Sequence, residues 1–289
     1  MFPRGILLMF GSVFFFALMN LSVKYLTRLP GEEITLMRCV AALFASGYLA
    51  RRSGAALLGT ERGILLLRGL FGGTSMLAYF YALLLLPLAS AVTIQYLSPI
   101  ITTFFAVRFL GERLSPWSWL FLGVSFSGVA LVKGIDSRIN TLGLGAGLIS
   151  AVASSGAYVN ISRLKGKESP YTIMLYLSGV GTLISLTTLL LRGSFIMPTP
   201  GEWGWLLAVS VLAQIAQDFM TRAYLSERAS DVAYINYTGL VFALLFGWLF
   251  FNETYSWQVL GGMLLVPAGV VLNILLQRKS HTKVLEKAP

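Results

Sequence analysis

Apolar residues run along this chain in long unbroken blocks, interrupted by short polar breaks rather than alternating with them. The first block reads GILLMFGSVFFFALMNL, and blocks of similar length recur almost to the C-terminus. A helix needs about 20 apolar residues to cross a bilayer. On that criterion the pattern predicts ten spans, near residues 5–26, 33–50, 64–86, 89–110, 116–133, 142–162, 171–191, 203–225, 230–251 and 256–276. The breaks, such as RLPGE, LPLAS, SERASD and NETYS, are too short to hold a soluble domain. A membrane β-barrel would show weak alternation in runs of about ten residues; the continuous blocks point to helices instead. The first block is longer than a signal-peptide core and has no convincing small-x-small cleavage site, so it is expected to stay as the first span.

The blocks also repeat. A shift of 141 positions lays TIQYLSPIITTFF over YINYTGLVFALLF, so that Ile94 meets Ile235, Gln95 meets Asn236 and Tyr96 meets Tyr237. Further along, Phe109 meets Phe250, Glu112 meets Glu253, Ser115 meets Ser256 and Gly128 meets Gly269. A shift of 140 brings Gly5, Ala17, Asn20 and Ser22 onto Gly145, Ala157, Asn160 and Ser162. Five spans per repeat is an odd number, so the second repeat must be inverted in the membrane. Inverted repeats place a substrate site at their interface, near the bilayer midplane. The expected fold is therefore an all-α polytopic membrane protein, with ten transmembrane helices arranged as two inverted five-helix repeats around a central cavity. The repeats would occupy residues 1–138 and 139–278, followed by a cytoplasmic polar tail at 279–289.

Composition agrees. The chain is 56% hydrophobic and 12% charged, where soluble domains carry about 25% charge. The net charge of +10 does not indicate nucleic acid, because the basic residues sit in short loops rather than on one soluble face. With the N-terminus inside, fifteen Lys and Arg fall on inner segments and five on outer ones. The positive-inside rule then puts both termini in the cytoplasm, and a bacterial inner (plasma) membrane is the expected location. The single cysteine, Cys39, excludes an intramolecular disulfide, and the single histidine, His281, lies in the tail. No metal site, cofactor or histidine-based catalysis is expected, and neither an HExxH nor a GxSxG motif is present. The chain is not expected to be an enzyme.

One stretch carries a family resemblance: RGLFGGTSMLAYFYALLLLPLASAVTIQYLSPIITTFFAVRFLGERLS, Arg68 to Ser115. Its alanine after aromatics, its LPLASA turn, its mid-helix SP and Glu112 opening the next helix resemble the EamA branch of the drug/metabolite transporter superfamily. The second half departs from it, with YTGLV where the first has YLSPI and SERASDVA where the first has LPLASAVT. The resemblance implies a ten-span secondary carrier with alternating access, working on amino acids, nucleotide-like metabolites, sugar conjugates or drugs. Export driven by a proton gradient or by exchange is the leading reading. Uptake or exchange of a cofactor-like metabolite such as S-adenosylmethionine is the alternative, because the first half also resembles such members. An intramembrane enzyme or a scaffold is the alternative of another class, and a homodimer is compatible with either.

Polar groups inside the apolar blocks are the candidate site residues, because hydrocarbon does not satisfy them. Asn20, with Lys24 one turn on, either faces a cavity or bridges helices. Arg38 resembles an arginine found at this place in many family members; it either holds a substrate carboxylate or phosphate, or snorkels to the interface. Gln95 and Tyr96, with Asn236 and Tyr237, are one feature seen twice, facing the pseudo-two-fold axis or serving as packing glue. Asn160 joins them through the repeat. Tyr79, Tyr81, Tyr158 and Tyr176 are candidates for the cavity lining.

In span 8, Gln214 and Asp218 share a face, with Gln217 beside them and Arg222 one turn further on. Asp218 either pairs with Arg222 or couples transport to a proton, since desolvation and Arg222 act on its protonation in opposite senses. Pro99 is expected to kink span 4. Glu112 and Glu253 are expected to cap helices 5 and 10. Gly69/Gly73 and Gly143/Gly147 have the spacing that lets helices approach closely. Trp117, Trp119, Trp203, Trp205 and Trp257 lie at span ends, where aromatic anchors belong.

Overall fold

The computed structural model describes residues 4–110, 120, 123–124, 127–128, 130–131, 136–193, 195–227, 234–265 and 268. All regular structure among them is helical: α1 (Arg4–Lys24), α2 (Gly31–Arg52), α3 (Arg62–Leu85), α4 (Leu88–Gln95), α5 (Ser98–Leu110), α6 (Thr141–Arg163), α7 (Pro170–Arg192) and α8 (Pro200–Ser226). A 3-10 turn at Tyr234–Tyr237 then leads into α9 (Thr238–Phe251). Residues 257–265 are helical too. Among the described residues, six segments are long and apolar enough to cross a bilayer: α1, α2, α3, the α4–α5 pair, α6 and α7. Most of the predicted fifth span, with its Trp117 and Trp119, and the end of the tenth lie outside the described residues, as does Glu112.

The side chains sort as a lipid solvent demands. Large apolar groups face outward, with Phe44 74% and Leu191 83% exposed, while Ser12, Ser46, Thr93 and Ser150 are buried. Trp203, Trp205 and Trp257 are exposed at helix ends. Without a hydrophobic drive between helices, close packing and interhelical hydrogen bonds hold them together. A Cβ on Gly69 would lie 2.8 Å from the Tyr176 carbonyl oxygen, and one on Gly73 3.1 Å from the Gly181 Cα, so α3 and α7 touch through these glycines. Serines knit α3 to α6: the Ser75 and Ser154 hydroxyls are 2.7 Å apart, and Ser150 donates to the Ser75 carbonyl at 2.9 Å.

The two halves interleave rather than sit side by side. The most extensive helix pairs are α3 with α6, α1 with α8 and α2 with α7. Moving five places in span order turns the α1–α8 pair into α6–α3 and leaves α2–α7 unchanged, which is the signature of a two-fold relation. The halves also run oppositely. Helix α1 ends where the Lys24 ammonium donates to the Leu86 carbonyl at 2.7 Å. Helix α6 begins at that same end, where the Asn140 amide donates to the Leu85 carbonyl at 2.8 Å.

Both ends of the bundle are tied across the repeats. At the Lys24 end, Arg28 donates to Glu202 at 2.9 Å, and Arg192 donates to Glu32, which also takes the Tyr81 hydroxyl. Glu253 corrects its expectation. Rather than capping the helix that follows it, its carboxylate accepts from the Leu88 amide at 2.8 Å, at the start of α4 in the other repeat, and from the Tyr255 hydroxyl. An anion suits the positive end of α4, and Asn252, with φ 50, turns the chain so that the carboxylate can reach it. Glu253→Ala is expected to cost about 1 kcal/mol through the lost cap, read as a lower melting temperature in detergent. An unchanged melting temperature would deny the cap that role.

At the opposite end, Glu168 accepts from the Thr60 amide at 2.5 Å, the Glu61 amide at 2.8 Å and the Thr60 hydroxyl at 2.8 Å. Partial burial pushes this carboxyl's pKa up, but the three hydrogen bonds outweigh burial and hold it below the ordinary glutamate value. A carboxyl with a depressed folded-state pKa stabilises the fold at pH above its unfolded value and loses that contribution as pH falls through the folded one. The melting temperature should therefore fall more steeply below about pH 4.3 in the native chain than in Glu168→Gln. Identical slopes would show the tie to be energetically idle.

Candidate functional site

The fourth span is broken where the proline signal predicts. Helix α4 stops at Gln95, Tyr96 and Leu97 form a turn, and α5 restarts at Ser98. Pro99 sits in the first turn of α5, where an amide is not required. The Leu97 amide falls back to a tighter bond with the Ile94 carbonyl, at 3.1 Å. The second copy lacks the proline and uses the 3-10 turn at Tyr234–Tyr237 instead. The two breaks meet. The Tyr237 hydroxyl donates to the Tyr96 carbonyl at 3.2 Å, and the rings stand edge to face at 5.1 Å. The Tyr96 hydroxyl lies against Gly239 so closely that no Cβ would fit there.

Beside this contact lies a cavity of about 1040 Å³ of empty space, its mouth included. Residues of both halves wall it. Of the candidates, Asn20, Arg38, Tyr79, Gln95, Tyr96, Pro99, Tyr158 and Asn236 line it. Asn20 donates to the Tyr79 hydroxyl at 3.0 Å, and Gln95 donates to the Ser154 hydroxyl at 2.6 Å. The side-chain oxygens of Asn20 and Gln95 are buried with no partner among the described residues. A buried acceptor left alone costs about 1–3 kcal/mol, a cost that a donor from a bound molecule would remove.

Two arginines dominate the chemistry of the wall. Arg38 is 7% exposed and Arg68 is 2% exposed. Arg38 does not snorkel: its guanidinium carbon stands 5.5 Å from the centre of the Phe80 ring. The Arg68 guanidinium folds over Gly72, filling the place a Cβ would occupy. Among the described residues neither arginine makes an ion pair, and Arg68 Nε has no hydrogen-bond partner. Both share the cavity wall with Tyr158 of α6.

Arg68 is the residue the sequence reading missed. It stands in RGILLLRGL, near the start of the predicted third span. An ionisable residue six positions into a helix of a membrane bundle is a functional candidate on that ground alone. Gln217, read only as flanking Asp218, also lines the cavity and is 7% exposed.

Other candidates lie off the cavity wall, each for a visible reason. Asn160 spends its amide within α6, donating to the Gly156 carbonyl at 2.9 Å and accepting from Arg163 at 3.3 Å. Gln214 donates to Ser46 at 3.1 Å and faces a smaller side pocket that Arg38 and Gln217 share. Tyr237 backs Tyr96. Asp218 accepts from Arg222 Nε at 2.8 Å, and Arg222 also donates to the Tyr171 hydroxyl, so the ion-pair reading describes its geometry. Tyr81 binds Glu32, and Tyr176 donates to the Leu58 carbonyl at 2.8 Å, both near the bundle ends.

Comparison with known proteins agrees with this architecture. The EamA-like transporter family matches the chain twice, over residues 3–134 and 141–275. The Pseudopaline exporter CntI of Pseudomonas aeruginosa is 36% identical over 273 residues, covering 93% of this chain and 95% of that protein. The human Solute carrier family 35 member G1 is 30% identical over 277 residues, 90% of this chain and 76% of its own length. The Riboflavin transporter of Rhizobium johnstonii is 27% identical over 266 residues, 89% of this chain and 86% of that protein. A solved crystal structure shares the fold with a TM-score of 0.70 at 18% identity, covering 95% of this chain and 98% of its own. With the family's domain present once in each half, this integral membrane protein belongs to the EamA-like transporter family.

Proposed function

We propose that the chain is a secondary carrier that exports a small organic metabolite, amino-acid-like or nucleotide-like and anionic, by alternating access. The observation that carries this reading is the cavity between the repeats, walled by two buried guanidiniums that no carboxylate among the described residues neutralises. The wall holds unneutralised positive charge and two unpaired amide oxygens, and an anionic metabolite with an amine, amide or hydroxyl answers both. The arginines weigh against S-adenosylmethionine, whose sulfonium and ammonium outnumber its single carboxylate. The breaks at Tyr96 and at the 3-10 turn interrupt the helical ladder, which is where the repeats would bend during alternating access. Outward opening would part the ties at the Lys24 end, including Arg28–Glu202 and Glu253–Leu88. The excess of basic residues on the opposite loops supports cytoplasmic termini.

Exchange is the simpler energy source, because Asp218 is committed to Arg222; Asp218→Asn should therefore leave counterflow intact. The test of the carrier reading is solute counterflow in vesicles holding the purified protein, across a metabolite panel. Trans-stimulated uptake above empty vesicles for at least one anionic metabolite is expected. Its absence across the whole panel would overturn the reading.

A further inference from the structure

We infer that the cargo carries two anionic groups, one for Arg38 and one for Arg68, with a hydrogen-bond donor between them for the free oxygens of Asn20 and Gln95. This rests on the carrier reading above and narrows its substrate class.

The argument is charge balance inside a membrane. Among the described residues no carboxylate lines the cavity. Glu32 is engaged by Arg192 and Asp218 by Arg222, so neither is free to serve Arg38 or Arg68. Two guanidiniums taken out of water at one cavity each carry a desolvation penalty. One anion neutralises only half of this. The arginines also enter from different helices, α2 and α3, and from opposite ends of the bundle, since those helices run antiparallel. Each planar fork suits a carboxylate or a phosphate in paired hydrogen bonds. A cargo with two separated anionic groups satisfies both forks at once, whereas a monoanion leaves one guanidinium buried without a counter-charge.

The test needs no variant to begin. Purified full-length protein is screened by thermal shift against straight-chain dicarboxylates of increasing length, each beside its own monoamide. A second series pairs alkanediol bisphosphates with the matching monophosphates, at fixed ionic strength. At least one doubly anionic probe should act at about a hundredfold lower concentration than its partner, and the series in which it appears tells carboxylate from phosphate. In Arg38→Gln and in Arg68→Gln that preference should collapse to about onefold, the single-group probe being little changed. If no doubly anionic probe outperforms its partner in the native protein, the inference is overturned. It is equally overturned if the preference survives both substitutions. Counterflow separates this from the carrier reading: a preferred probe that binds but never crosses contradicts transport alone, and a monoanion that crosses as well as the dianion contradicts the two-anion cargo alone.

Discussion

Arg68→Met is expected to abolish measurable transport of a doubly anionic substrate while leaving the protein at least as stable as the native chain. The two effects separate because they have different origins. In the empty protein Arg68 is a liability: it is 2% exposed, and no carboxylate among the described residues pairs with it. Replacing a buried charge by an apolar side chain of similar volume is often neutral or stabilising. In the loaded protein the same guanidinium pairs with an anion in a site shielded from water, and loss of such a pair costs about 2–5 kcal/mol. About 3 kcal/mol is more than a hundredfold in the rate at low substrate. Melting temperature and counterflow on the same preparation check both halves. Transport within a few-fold of native would remove Arg68 from the binding site, and a collapse in stability would make it structural.

The second large effect concerns packing. Gly69→Val is expected to destabilise the bundle by about 3 kcal/mol, at the upper end of overpacking costs. The added Cβ would stand 2.8 Å from the Tyr176 carbonyl oxygen and 2.7 Å from the Val180 side chain. The backbone of α7 cannot swing aside as a side-chain tip can, so α3 and α7 must separate. Arg68 is the adjoining residue, so transport should fall with stability. Gly63→Ala is the control, because nothing lies within 4 Å of its Cβ position on the same helix. A fall of several degrees in Gly69→Val beside a near-native Gly63→Ala is the predicted pattern. Equal melting temperatures would mean that the contact does not hold the helices together.

Much of this arrangement can be read from the order of residues, and the gaps have physical causes. Helices α1, α2, α3, α6 and α7 begin and end within about two residues of the apolar blocks, as expected where block length is set by bilayer thickness. The repeat register was informative about backbone. It put Tyr96 opposite Tyr237, and those rings touch. It was less informative about chemistry: Asn20 and Asn160 occupy matching helix positions, yet one lines the cavity and the other bonds within its own helix. Inversion carries the shape of a repeat to its mate but leaves each side chain to its own neighbours.

Glu253 shows a second limit. A helix-start signal names the residue type that caps, and here the nearest orphan amide belongs to a helix of the other repeat. Arg68 shows a third. An arginine's place near a span end does not reveal its burial, which depends on which way the helix face turns in the assembled bundle.

The central claim is that this chain moves an anionic metabolite through the cavity between its repeats. Counterflow of anionic metabolites into vesicles holding the native protein, side by side with Arg38→Gln/Arg68→Gln, tests it most directly. The account predicts trans-stimulated accumulation in the native vesicles and none above empty vesicles in the double variant, with both proteins folded by thermal shift. Accumulation that persists in the folded double variant would contradict it.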